Sequence, residues 1–141
     1  LLTVLPAVAA IAVAMISLNE ATAVARDEAR RTMAAAWLAG QLHEAMRMNP
    51  AGVAAGAYLD DPPPSLLRCG GGILQARDDL RAWRRALREA FSPTPVVGLV
   101  RQGPAKPPQV IVGWPGLRPP PRSLLCPRPL EPRWRCVAVP P

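Results

Sequence analysis

Residues 1–18 read LLTVLPAVAAIAVAMISL, a run with no charge in which only Thr3, Pro6 and Ser17 interrupt the apolar side chains. As a helix it would span about 27 Å, close to the hydrocarbon thickness of a bilayer. It is apolar on every face, so a soluble protein would have to surround it completely. The Pro-rich remainder of the chain is poor material for that. No basic residue precedes Arg26, whereas a cleavable signal peptide carries a basic segment ahead of its apolar core. Residues 1–18 therefore read as a transmembrane half-helix, with a kink expected at Pro6.

The helical pattern continues. Residues 19–48 contain no Pro and only one Gly, Gly40, and are rich in Ala, Arg, Glu and Met, all good helix formers except the glycine. Trp37, Leu38, Leu42, Ala45 and Met46 form one apolar stripe, while Arg30, Arg31, Gln41, Glu44 and Arg47 supply a polar side. The spacing predicts an amphipathic half, residues 19–49, that packs on a domain through Trp37, Leu38, Leu42 and Met46. Asn49-Pro50 ends the run, because the residue before a proline is pushed away from helical angles.

Residues 51–141 hold 17 of the 19 prolines. AGVAAGAYLDDPPPSLLRCGGG (51–72) reads as a loop by composition. Residues 76–91 (ARDDLRAWRRALREAF) read as a second helix whose face is Leu80, Trp83, Leu87 and Phe91, with Asp78 and Asp79 in its first turn. Three β-like runs follow: 96–101, 109–114 (QVIVGW, weakly alternating) and 134–139. The fold class is α+β. A long N-terminal helix packs on a small antiparallel β-sheet, a sheet just sufficient when a helix covers one face.

Charge and chemistry narrow the function classes. The formal charge of +7 comes from residues 50–141, where 13 basic residues face six acidic ones. Those arginines lie among prolines with few interleaved aromatics, so a solvated basic surface is the first reading and a nucleic-acid or polyanion site the second. There is one His, no Cys/His cluster, no glycine-rich phosphate loop and no GxSxG elbow. The chain reads as a non-enzyme with no cofactor and no metal. His43 reads as a helix-surface residue. Asp60-Asp61 and Asp78-Asp79 could offer oxygens to Ca²⁺, but a turn and a helix N-terminus explain them without a metal. Trp37 and Trp83 read as core on helical faces; Trp114 and Trp134 sit at strand ends.

The cysteines are Cys69, Cys126 and Cys136, in neither a zinc spacing nor CxxC. An anchored domain outside the cytoplasmic membrane sits where disulfides persist. Cys126–Cys136 is the leading pairing, closing a short loop worth roughly 2–3 kcal/mol in the chain-entropy model. Cys69 is the alternative partner of either, and three free thiols are the remaining reading.

The order of parts and several motifs resemble the type IV pilus modification protein PilV family of minor pilins. LAGQLHEAMRMNPAG (38–52) is similar to that family's LA-x-x-L-x-E-x-MR-x-NPAG segment. DLRAWRRAL (79–87) resembles its DL-x-x-W-x-x-x-L helix, VIVGW (110–114) its V-x-V-x-W strand, and RCVAV (135–139) its terminal strand. LLTVLPA (1–7) departs from the family's F-[ST]-L-[IL]-E-V-L-V-A start, with Thr3 where the glutamate stands. Docking through that carboxylate is therefore not implied. The resemblance implies a pilin-like fold and a single-pass inner-membrane subunit with a periplasmic domain, present in the extracellular pilus if incorporated. It would prime or modify pilus assembly. The implied partners are other minor pilins, the major pilin, the inner-membrane assembly platform and the lipid bilayer. A type II secretion minor pseudopilin, or a DNA-binding minor pilin for uptake or adhesion, are the alternatives.

Overall fold

A computed structural model describes residues 4–62, 70–102, 107–116 and 134–139, with side chains from residue 13 onward. Helix α1 runs from Val4 to Met48, α2 from Pro50 to Ala54 and α3 from Gly71 to Phe91. Strands β1 (Val97–Arg101), β2 (Gln109–Pro115) and β3 (Trp134–Val139) form one antiparallel sheet in the order β1-β2-β3. The α+β class, the long first helix and the three-strand sheet agree with the expectation.

The chain divides into two compact units, Leu1–Met33 and Ala34–Pro141. Burial along α1 starts with Ala35 and continues through Leu38, Ala39, Leu42 and Met46, so the amphipathic half works over a shorter stretch than 19–49. In the first unit, Val13, Met15, Ile16 and Leu18 are 59–67% exposed. Among the described residues no helix is long and apolar enough to cross a membrane. Much of the run 1–18 lies outside the described side chains.

One correction concerns the packing face. Leu38, Leu42 and Met46 are buried as expected, but Trp37 is 64% exposed. At 100° per residue Trp37 lies on the opposite side of the helix from Leu42, so it cannot share that face. The five-residue interval from Trp37 to Leu42 turns the helix by about 140°, which carries Trp37 off the buried face.

Loop 51–72 is also corrected. Pro50 opens the short α2, capped by the Asn49 side chain. Gly71 and Gly72 belong to α3, which therefore starts five residues before the expected Ala76. Asp78 and Asp79 consequently lie about two turns inside α3, not in its first turn. Glycine is required at the α3 start because of a close approach. A Cβ on Gly72 would come within 2.9 Å of Asn49 Oδ1 and 3.0 Å of Gly52 N.

The core of the second unit gathers the α1 face, the α3 residues Ala76, Leu80, Trp83, Leu87 and Phe91, and one face of the sheet. Register assigns that sheet face: Val110, Val112 and Trp114 of β2, with Val100 of β1 and Val137 and Val139 of β3. Phe91 and Trp114 stack at a tilt, ring centroids 5.4 Å apart. Gly98 shares the face, and a Cβ there would fall 2.5 Å from Trp83; the absent side chain lets α3 lie close to β1. Ile111 points to the other face and is buried there too. This explains the weak alternation of QVIVGW, because a central strand covered on both sides reads as a continuous apolar run.

Leu42→Ala should lower the stability of the folded chain by about 2–5 kcal/mol in urea denaturation. Trp37→Ala should change it by no more than about 0.5 kcal/mol. Equal effects would return Trp37 to the core.

Candidate functional site

The densest polar arrangement in the second unit is centred on Asn49, which is 4% exposed. Pro50 supplies no N–H, so α1 stops and the chain turns at Asn49 with φ −128° and ψ 64°. The Asn49 carboxamide then joins three segments. Its Oδ1 accepts from Gly52 N at 3.1 Å, an N-cap bond. Its Nδ2 donates to the Gly72 carbonyl at 2.7 Å and to the Tyr58 hydroxyl at 3.1 Å. Gly52 faces the same close approach as Gly72: a Cβ there would sit 2.4 Å from Asn49 Nδ2.

Tyr58 is 1% exposed and is the chain's single tyrosine. Its hydroxyl donates to Asp79 Oδ2 at 2.5 Å. Burial, then the Asp79 hydrogen bond, pushes its pKa up to about 12; the Asn49 bond pulls the other way. Asp79 thus serves as an acceptor inside the fold, on a shallow groove also lined by Gln41, Leu42, Ala45, Ala82 and Trp83. Trp83 donates through Nε1 to the Leu38 carbonyl at 2.9 Å, tying α3 to α1.

Asp60 makes a second junction. It exchanges backbone and side-chain bonds with Val100 on β1, Asp60 N to Val100 O at 3.1 Å and Val100 N to Asp60 Oδ2 at 2.5 Å. Its Oδ1 pairs with Arg84 of α3 at 2.9 Å. β1 is an edge strand, and this side chain satisfies polar groups that an edge otherwise presents to other chains.

The expected residues fall as follows. Leu80, Trp83, Leu87 and Phe91 are all buried on α3. His43 is half-buried, its Nδ1 buried and without a hydrogen-bond partner among the described residues, in a largely apolar hollow with Met46, Pro50, Val53, Pro107 and Pro108. That is more enclosed than the helix-surface position expected for it. Among the described residues, no group of three or more His, Cys, Asp or Glu could hold a metal. Asp60, Asp78 and Asp79 bond to protein groups instead. Cys136 lies on β3 opposite Gly113 and is disulfide-bonded. Cys69 and Cys126 lie outside the described residues, so its partner is not placed. Asn49 and Tyr58 had no role in the sequence reading beyond a helix stop and a loop, and Asp60 was read only as a turn residue that could offer an oxygen to Ca²⁺. The Asn-Pro-x-Gly spacing was the available signal, an N-cap three residues before its glycine donor.

No family model, curated protein or solved structure matches the chain.

Asn49→Ala should destabilise the fold by about 1–3 kcal/mol, through loss of the cap and an orphaned buried carbonyl. Because Tyr58 is the only tyrosine, phenolate absorbance reads it alone. Half-ionisation near pH 12 in the folded chain is expected, against about 10 when unfolded. The unfolded state then releases this proton first, so stability should be level up to pH 10 and fall from 10 to 12. Tyr58→Phe should remove that decline.

Proposed function

We propose that this chain is a minor pilin, a structural subunit that primes or modifies type IV pilus assembly. The observation that carries the reading is an asymmetry along one 45-residue helix. Its last turns bury Leu38, Leu42 and Met46 in an α+β unit, whereas Val13, Met15, Ile16 and Leu18 remain exposed and apolar. An exposed, all-round apolar helix segment needs lipid or other apolar helices as solvent. The exchange between those two is nearly balanced, since lipid tails and neighbouring helices solvate it alike. A subunit could therefore wait in the inner membrane and pass into a helical array with its periplasmic domain unchanged. Direction would come from an assembly platform.

The residues that carry the PilV resemblance support the reading in a second way. Within 38–52, Leu38, Ala39, Leu42, Met46, Asn49 and Gly52 are all buried. These six form the face of α1 and the node after it, whereas Glu44, Arg47, Pro50 and Ala51 of the same motif are exposed. The role is structural, and the domain's Cys136 is proposed to pair with Cys126.

Deleting the gene in its host should abolish or alter surface pili, and the wild-type gene should restore them. Ile16→Arg should leave the domain folded while raising the membrane cost by about 2.5–3.5 kcal/mol, and it should fail to complement. Unchanged pilus number and motility with a secretion defect would favour the type II secretion alternative. No change in any of the three would overturn the assembly role. Non-reducing peptide mapping should recover Cys126 joined to Cys136; Cys69 in the major bridge would replace that pairing.

A further inference from the structure

The arginines that look scattered in the sequence are partly gathered by the fold. Arg77, Arg81, Arg84, Arg85 and Arg88 all lie on α3 and all are exposed. At 100° per residue, Arg77, Arg81, Arg84 and Arg88 fall within about 60° of arc, with Arg85 on one flank. The stripe is about 16 Å long. It lies roughly a quarter turn from the buried face of Ala76, Leu80, Trp83, Leu87 and Phe91.

The nearby acids cancel part of it and leave Arg77, Arg85 and Arg88 uncompensated among the described residues. Asp79 is engaged by Tyr58, Asp78 pairs with Arg81 and Asp60 with Arg84. Glu89, on the flank beyond Arg85, forms no ion pair among the described residues. Arg77, Arg85 and Arg88 also form none among the described residues.

We propose that this arginine stripe of α3 is a docking face for duplex nucleic acid, read through its phosphates without base recognition. Guanidinium groups match phosphate oxygens with two parallel hydrogen bonds, and the stripe spans the phosphates of about five base pairs. Three features select this partner. An amphipathic helix that lies on a membrane seats apolar residues in the lipid, but the apolar face of α3 is spent on the core and only Leu74 is exposed near its start. A protein partner is typically gripped by aromatic anchors together with arginine, and both aromatics of α3, Trp83 and Phe91, are buried. Their burial also removes the stacking platform that a single strand requires. The inference does not depend on the pilin reading.

The test uses the full chain in a neutral detergent, with fluorescent duplex DNA of about 20 base pairs in two unrelated sequences. Both duplexes should bind alike. Affinity should fall roughly 40- to 500-fold between about 50 and 200 mM salt, as expected for three to five phosphate contacts. The triple variant Arg77→Gln, Arg85→Gln, Arg88→Gln should flatten the log–log salt slope by about 2.7, and its lysine counterpart should keep the slope. Arg26→Gln with Arg30→Gln on α1 removes charge elsewhere and should leave the slope unchanged. If the triple variant loses its unfolding transition, Arg88→Gln alone carries the test, with a slope change of about 0.9.

The proposal is overturned if the duplex fails to bind at about 50 mM salt. It is equally overturned if the α1 variant flattens the slope as much per charge as the α3 variants, since binding would then follow net charge alone. A third overturning result is stripe-dependent binding to vesicles of phosphatidylcholine with one-third phosphatidylglycerol, with no such dependence for the duplex.

Discussion

A buried primary amide must find partners for two hydrogens and an oxygen, or it costs more than it contributes. Asn49 meets that demand by joining the end of α1, the start of α2, the start of α3 and Tyr58. Each partner comes from a different segment, so none can move without leaving a buried polar atom unsatisfied. Two glycines make the convergence sterically open. Gly52 and Gly72 place bare backbone where any Cβ would collide with the amide or with each other's backbone. The remainder of the second unit follows from this constraint. With its start fixed beside Asn49, α3 runs its Leu80–Trp83–Leu87–Phe91 face along α1 and onto the sheet. Gly98 admits the Trp83 ring, and the Trp83 indole N–H closes the α1–α3 contact at the Leu38 carbonyl.

The sheet is small, and its stability rests on how its strands are covered. β2 is buried from Val110 to Trp114, so its side chains work on both faces. β1 is held from outside by Asp60, which also reaches Arg84 on α3. One carboxylate thus ties the turn after α2, the sheet edge and α3 together. The same packing that buries the apolar face of α3 leaves its arginines outward. The basic surface is therefore organised by the core even though no core residue is charged.

Much of this architecture was legible in one dimension. Uncharged apolar length marked the start of α1, and the absence of Pro from 7 to 49 marked its extent. The 3–4–4 spacing of Leu80, Trp83, Leu87 and Phe91 marked a buried face, and short β-branched runs marked all three strands to within one residue. These are local signals, set by chain geometry and by the need to hide apolar surface. Trp37 departs for a local reason: its five-residue interval to Leu42 turns the helix by about 140° and carries it off the buried face. The segment 51–72 departs for another, because a composition of Gly, Ala and Pro is a local fact whereas the close approach of Gly72 to Asn49 is a relation between distant residues.

The sequence by itself determined the helix, the strands and the point at which α1 must stop, because proline and apolar periodicity act within a few residues. Only the tertiary structure decided that Asn49 is a junction rather than a terminator, that Gly72 is a packing contact rather than a loop, and that the Tyr58 hydroxyl donates to Asp79. Those outcomes depend on residues 9 to 45 positions apart meeting in a dry interior, where an unmatched polar group is costly enough to select one arrangement.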